Sequence, residues 1–198
     1  MSRRAAILEL AVLGLLHDSP LHGYELRKRL NASLGAFRAF SYGSLYPCLK
    51  EMLTRGWIAH DGGGSASKRS RIVYRLTAEG KERLQDLLAD SDPSAWEDEN
   101  FGARFVFFAK TDAAVRLRIL EGRRSRLEER LASVRASLAR TRERLDSYTL
   151  ALAQHGLESV EREVRWLNEL IATERQSTTI VGQSQLRDEA AGPSPSLT

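Results

Sequence analysis

Two short β-prone runs, residues 57–60 (Trp-Ile-Ala-His) and 72–76 (Ile-Val-Tyr-Arg-Leu), are joined by an insert that is first glycine-rich and then basic. Gly62, Gly63 and Gly64 turn the chain, and Lys68, Arg69 and Arg71 put charge at the tip. The pair reads as a β-hairpin with a cationic loop. Three helical stretches precede it and one follows, an order that few folds accommodate. It predicts a mostly α protein with a small β-wing: an N-terminal winged helix-turn-helix.

The flanking helices follow from periodicity and punctuation. Residues 5–17 are apolar nearly all round (Ile7, Leu8, Leu10, Val12, Leu13, Leu15, Leu16), so this helix is expected to be buried on most sides. Glu9 interrupts the run and no small-residue cleavage site follows, which argues against a signal peptide. Asp18-Ser19-Pro20 breaks the helix. A second helix spans residues 22–34, with Leu26 and Leu30 four apart. A third starts between Tyr42 and Ser44, with Leu45, Leu49, Met52 and Leu53 facing the core and Gly43, Pro47, Lys50 and Thr54 on the other face. Gly56 ends it. Thr77 caps a fourth helix over residues 78–89. The winged domain is expected to end at residue 92, where Ser91-Asp92-Pro93-Ser94 marks a boundary.

The second half, residues 93–176, reads as a helical dimerisation region. A short helix is expected over residues 95–109, then a long one over residues 112–154. From Leu127 the apolar steps alternate four and three through Leu131, Val134, Leu138, Leu145, Tyr148 and Leu152, with Thr141 in the one polar slot. That heptad pattern predicts a coiled-coil-like seam between two copies. Gly156 is expected to break the helix before a last one carrying Val160, Val164, Leu167 and Ile171. Residues 177–198 are Ser-, Thr-, Gln- and Gly-rich and are expected to form a disordered tail.

Charge is unevenly placed. Between Arg27 and Arg75 there are ten Lys and Arg against Glu51 and Asp61 alone, an excess of eight. From Pro93 to Gln176 the counts are fifteen and fourteen. A basic module beside a balanced one suits a polyanion reader joined to a pairing domain. In a helix-turn-helix the N-terminal residues of the second helix reach base edges. Here these are Ser41, Tyr42, Gly43, Ser44 and Tyr46, with Lys50 further on and Lys68, Arg69 and Arg71 of the wing on the backbone or minor groove.

The segments His22-Gly23-Tyr24-Glu25-Leu26, Gly43-Ser44-Leu45-Tyr46-Pro47, Gly56-Trp57-Ile58 and Tyr74-Arg75-Leu76-Thr77-Ala78-Glu79-Gly80 occur in this order over about the first 85 residues. Together they resemble the signature of the PadR family of transcriptional regulators, and the long second half looks like its larger subgroup. The resemblance implies a homodimeric repressor of a nearby operon, bound to an inverted-repeat operator in double-stranded DNA. It also implies release by a small, often aromatic effector. The sequence departs from the family at Cys48, where a small aliphatic residue is commoner, and in its longer wing.

Trp96, Phe101, Phe105, Phe107 and Phe108 are the effector-binding candidates, with core packing as the plainer reading. Tyr24, Leu45 and Tyr74 read as core residues, Cys48 as a small buried hydrophobe, and Arg123-Arg124-Ser125-Arg126 as a solvated face. A lone cysteine fits the cytoplasm. His17, His22, His60 and His155 have no metal-ligand spacing. The triple glycine lacks the Lys-[Ser/Thr] of a phosphate loop. No enzyme, metal, cofactor or membrane association is expected.

Overall fold

The structure is a computed structural model that describes residues 3–34, 42–61 and 72–190. The chain divides into two compact units, Met1–Val115 and Arg116–Thr198. The division falls inside a helix, beyond the boundary expected at residue 92.

The first unit is built around α1 (Arg3–Asp18). Ile7, Leu8, Leu10, Ala11, Val12, Leu13 and Leu16 are all buried. The helix touches α2 (Gly23–Leu34), α3 (Tyr42–Thr54), α4 (Ala78–Ala89) and α5 (Asp98–Phe105). Its acidic residue is not an exception to burial: Glu9 is 4% exposed, and its Oε1 accepts from Arg83 Nε of α4 at 2.7 Å. A carboxylate inside a core needs such a partner.

The wing contains one strand more than expected. β1 (Leu21–His22), β2 (Ile58–His60) and β3 (Val73–Leu76) form an antiparallel sheet in the order β1-β3-β2. Leu21 pairs with Tyr74 and Ile58 with Leu76. Two residues are too few to show alternation, which hides β1 in the sequence.

The α3–β2 junction is a Schellman turn. Gly56 has φ +74°, Trp57 N–H donates to Met52 O at 3.0 Å, and Gly56 N–H to Leu53 O at 3.1 Å. The N-terminus of α4 closes on the same turn. The Thr77 hydroxyl accepts from Gly80 N–H at 3.0 Å and lies 2.6 Å from Gly56 O and 2.9 Å from Trp57 O.

The helix expected over residues 95–109 is broken into three pieces: a 3-10 turn Pro93–Trp96, α5, and a 3-10 turn Phe108–Lys110. Glu97, with φ −66° and ψ 150°, separates the first two.

The second unit corrects the long-helix expectation. α6 (Ala113–Thr141) gives way to a 3-10 turn Arg142–Arg144, and α7 (Ser147–Ala190) runs back beside α6. Asp146 starts α7: its Oδ1 accepts from Tyr148 N–H at 2.9 Å and Thr149 N–H at 3.0 Å. These bonds stabilise the carboxylate and, led by the one to the Thr149 hydroxyl, lower the Asp146 pKa. Gly156 does not break the helix. Stopping there would call for a left-handed residue, and Gly56 is the one positive-φ glycine among the described residues. Gly156 therefore costs about 1 kcal/mol relative to alanine and α7 continues through it. α7 also continues through Ala190, past the point where composition argued for disorder.

Ion pairs line the hairpin: Arg116–Glu174 at 2.7 Å, Arg123–Glu163 at 2.8 Å, Arg135–Glu161 and Arg175–Glu121 each at 2.6 Å. Arg123, expected on a solvated face, is 6% exposed. Its pair with Glu163 allows that burial.

Candidate nucleic-acid interface

α3 has two faces of opposite character. Leu45, Leu49 and Met52 are buried, whereas Gly43, Ser44, Tyr46, Pro47 and Lys50 are exposed. Pro47 lies inside the helix and removes the N–H that the carbonyl of Gly43 would take in an α-helix. Tyr42 begins the helix; Ser41, Lys68, Arg69 and Arg71 lie outside the described residues.

Tyr46 leans over the start of α2. A Cβ on Gly23 would meet the Tyr46 hydroxyl at 3.3 Å, so the small residue lets the ring approach. Beside it, His22, Tyr24, Ile72 and Tyr74 complete a concave surface of about 240 Å³. His22 Nδ1 lies 3.4 Å from the carbonyl oxygen of Ile72. Tyr74 forms the floor: it is buried, and burial first, then Tyr46, push its hydroxyl pKa up.

Tyr24 corrects the sequence reading. It is 62% exposed, with Tyr46 at 46% and Ile72 at 54%. The sequence did carry the signal. Leu26, Leu30 and Leu34 form the buried stripe of α2, and a residue two before Leu26 lies roughly 200° round the helix, on the solvent side. Tyr24 and Tyr46 are thus exposed phenols on adjacent faces of the helix-turn-helix. Each offers a hydroxyl donor and a ring edge, which suits contacts to phosphate and sugar. Lys28 and Lys50 are exposed on the same two helices.

The effector candidates do not form one group. Phe101, Phe105 and Phe108 cluster, with centroid separations of 5.8, 4.9 and 6.5 Å. Phe107 is instead buried against α1, its ring over Gly14. Trp96 ends the first 3-10 turn and is half-buried. The dimerisation candidates are split by the hairpin. Leu127 is 2% exposed on α6, Leu131 and Leu138 are half-buried, and Val134 is 37% exposed. Leu145 falls in the turn, and Leu152 of α7 is 72% exposed. No helix among the described residues is long and apolar enough to cross a membrane.

Residues 12–86 match the model of the transcriptional regulator PadR-like family. The negative transcriptional regulator PadR of Bacillus subtilis (strain 168) is 32% identical over 87 residues, 44% of this chain and 48% of that protein. The chain thus spans about half the length of that curated relative. Among solved structures it is similar to Bacillus subtilis PadR in complex with operator DNA, at 23% identity and a TM-score of 0.41, covering 85% of this chain and 99% of that one. The same protein in complex with p-coumaric acid gives 23% identity and a TM-score of 0.40, again over 85% and 99%. The match over residues 12–86 takes in the end of α1, all of α2 and α3, the three strands and most of α4.

Proposed function

We propose that the chain is a homodimeric regulator that binds an inverted-repeat operator, represses a neighbouring operon and is released by a small apolar or aromatic ligand. Residues 1–92 would read DNA, residues 93–176 would pair and receive the effector, and the protein acts in the cytoplasm. The observation that carries this is the exposed face of α3, with Tyr46 and Lys50, beside the Tyr24 surface of α2. α3 lies within the segment Arg27–Arg75, which has an excess of eight basic residues. A polyphosphate supplies the complementary charge, and a helix-turn-helix supplies the groove-sized projection.

The kinship to a negative regulator favours repression, and the relative solved with p-coumaric acid favours a small aromatic effector. The exposed Leu152 and Tyr148 of α7 favour pairing through the second unit.

The test is selection of bound fragments from genomic DNA, followed by titration of the selected duplex at several salt concentrations. Specific binding with a steep log–log salt slope is expected, and Arg69→Ala and Arg71→Ala should each lower the slope by about 1. Equal affinity for unrelated duplexes would remove the operator reading. An unchanged slope in both variants would remove the wing from the interface.

A further inference from the structure

A cavity of about 480 Å³ opens in the first unit, apart from the concave surface around Tyr24. Leu8 and Glu9 of α1 form one wall, Cys48, Glu51 and Met52 of α3 the other, and Trp57 closes one end. Its volume lies in the range of small-molecule sites, roughly 300–1,000 Å³. The lining is mostly apolar, and its charged members are Glu9, Glu51 and Arg55. Glu9 is 4% exposed, and Glu51 stands on the rim.

The protein already treats this place as a cation site. The Arg55 and Arg83 guanidinium carbons lie 4.9 and 5.1 Å from the centre of the Trp57 ring. Arg83 Nε bonds Glu9 at 2.7 Å, and Arg55 Nε bonds Glu51 at 2.6 Å. The face of a Trp ring attracts organic cations by its quadrupole, and carboxylates nearby add charge complementarity. The two pairs differ in strength. Glu9–Arg83 is partly buried and spans two helices, so it is fixed. Glu51–Arg55 is an exposed i,i+4 pair, with side chains 54% and 40% exposed, worth about 0.3–0.5 kcal/mol. Arg55 is therefore a tethered cation that a better-desolvated one can replace. The Cys48 thiol reports the same field from inside the cavity: burial, then Glu9 and Glu51, push its pKa up to about 12.

We propose that this cavity binds an apolar organic cation, its charge between Glu51 and the Trp57 ring and its hydrocarbon body against Leu8 and Met52. An uncharged molecule of the same shape would leave Glu51 with Arg55 and gain only the apolar contact. The site stands independently of the DNA-binding reading. Its occupant would nevertheless touch the helix that carries Ser44 and Pro47, since both residues also border the cavity.

The experiment is isothermal titration of the full chain with methyltriphenylphosphonium, with the nearly isosteric triphenylphosphine oxide as the uncharged comparator. It is repeated by Trp57 emission in a Trp96→Phe, Trp166→Phe background. Saturable binding is expected, at least tenfold weaker for the oxide. Glu51→Gln should weaken the phosphonium at least threefold, leave the oxide unchanged, and leave the circular dichroism melt unchanged. Equal affinity for the two probes, no change in Glu51→Gln, or no saturation in the millimolar range would each overturn the proposal.

Discussion

The Cα of Gly80 faces the carbonyl of Trp57 so closely that a Cβ there would lie 1.9 Å from the oxygen. Two of the sequence signatures, Gly56-Trp57-Ile58 and the run ending at Gly80, are therefore two sides of one contact. Thr77 joins them through its hydroxyl. Gly80→Ala should push α4 off the Schellman turn and destabilise the protein by about 2–4 kcal/mol in urea unfolding. Thr77→Ala loses the cap and the hydroxyl's bond to the turn, and should cost about 1–2 kcal/mol.

Gly14 and Phe107 test whether an effector candidate is a packing residue. A Cβ on Gly14 would sit 2.4 Å from Phe107 Cε1. Gly14→Ala should cost about 1–3 kcal/mol by overpacking. Adding Phe107→Leu should recover part of that loss, because the clash and its relief share one space. Strict additivity in the double-mutant cycle would break the link.

Tyr24→Ala should leave the melting curve nearly unchanged, since the side chain is 62% exposed. Operator affinity should fall by about 1.5–3 kcal/mol, roughly ten- to a hundredfold in Kd, if its hydroxyl bonds a phosphate. Tyr24→Phe should show most of that loss.

Cys48 should be slow toward thiol reagents. With its pKa raised from 9.0 to about 12, the thiolate at pH 8 is scarcer by about 10³-fold than for an ordinary cysteine. Alkylation by iodoacetamide in the folded protein should be slowed comparably and recover in denaturant. A fast folded-state reaction would show that the side chain is neither buried nor faced by Glu9 and Glu51.

Leu127 and Leu152 separate folding from pairing. Leu127→Asp puts a charge at a site 2% exposed within one chain and should unfold the second unit. Leu152→Asp alters a side chain 72% exposed in the single chain. It should keep its helix content and sediment as a monomer. A persistent dimer would take Leu152 out of the interface.

The elements that the sequence showed best are those whose ends carry local chemistry. The helix over residues 78–89 is legible because Thr77 marks its start. α3 was legible because Leu45, Leu49 and Met52 share a face. The α6–α7 turn was hidden because Leu138, Thr141 and Leu145 continue the heptad across it, while the Asp146 cap lies inside that pattern. Gly156 misled because glycine stops a helix through a left-handed φ that its sequence position does not reveal. On α3, the exposure of Lys50 follows from helix phase. Tyr24 was missed because its aromatic character outweighed its phase against Leu26.

The four ion pairs of the hairpin also act as a vernier on its alignment. Slide α7 by seven residues one way, and Arg116 meets Leu167, Arg123 meets Gly156, Arg135 meets Gln154 and Glu121 meets Asn168. Slide it the other way, and the same four meet Val181, Leu170, Asn168 and Gly182. Neither shifted alignment recovers one opposite charge, although a heptad shift would keep the helical phase of the apolar stripe. A heptad-shifted hairpin would leave the buried Arg123 facing Gly156 or Leu170 with its charge unpaired, which raises it above the native alignment.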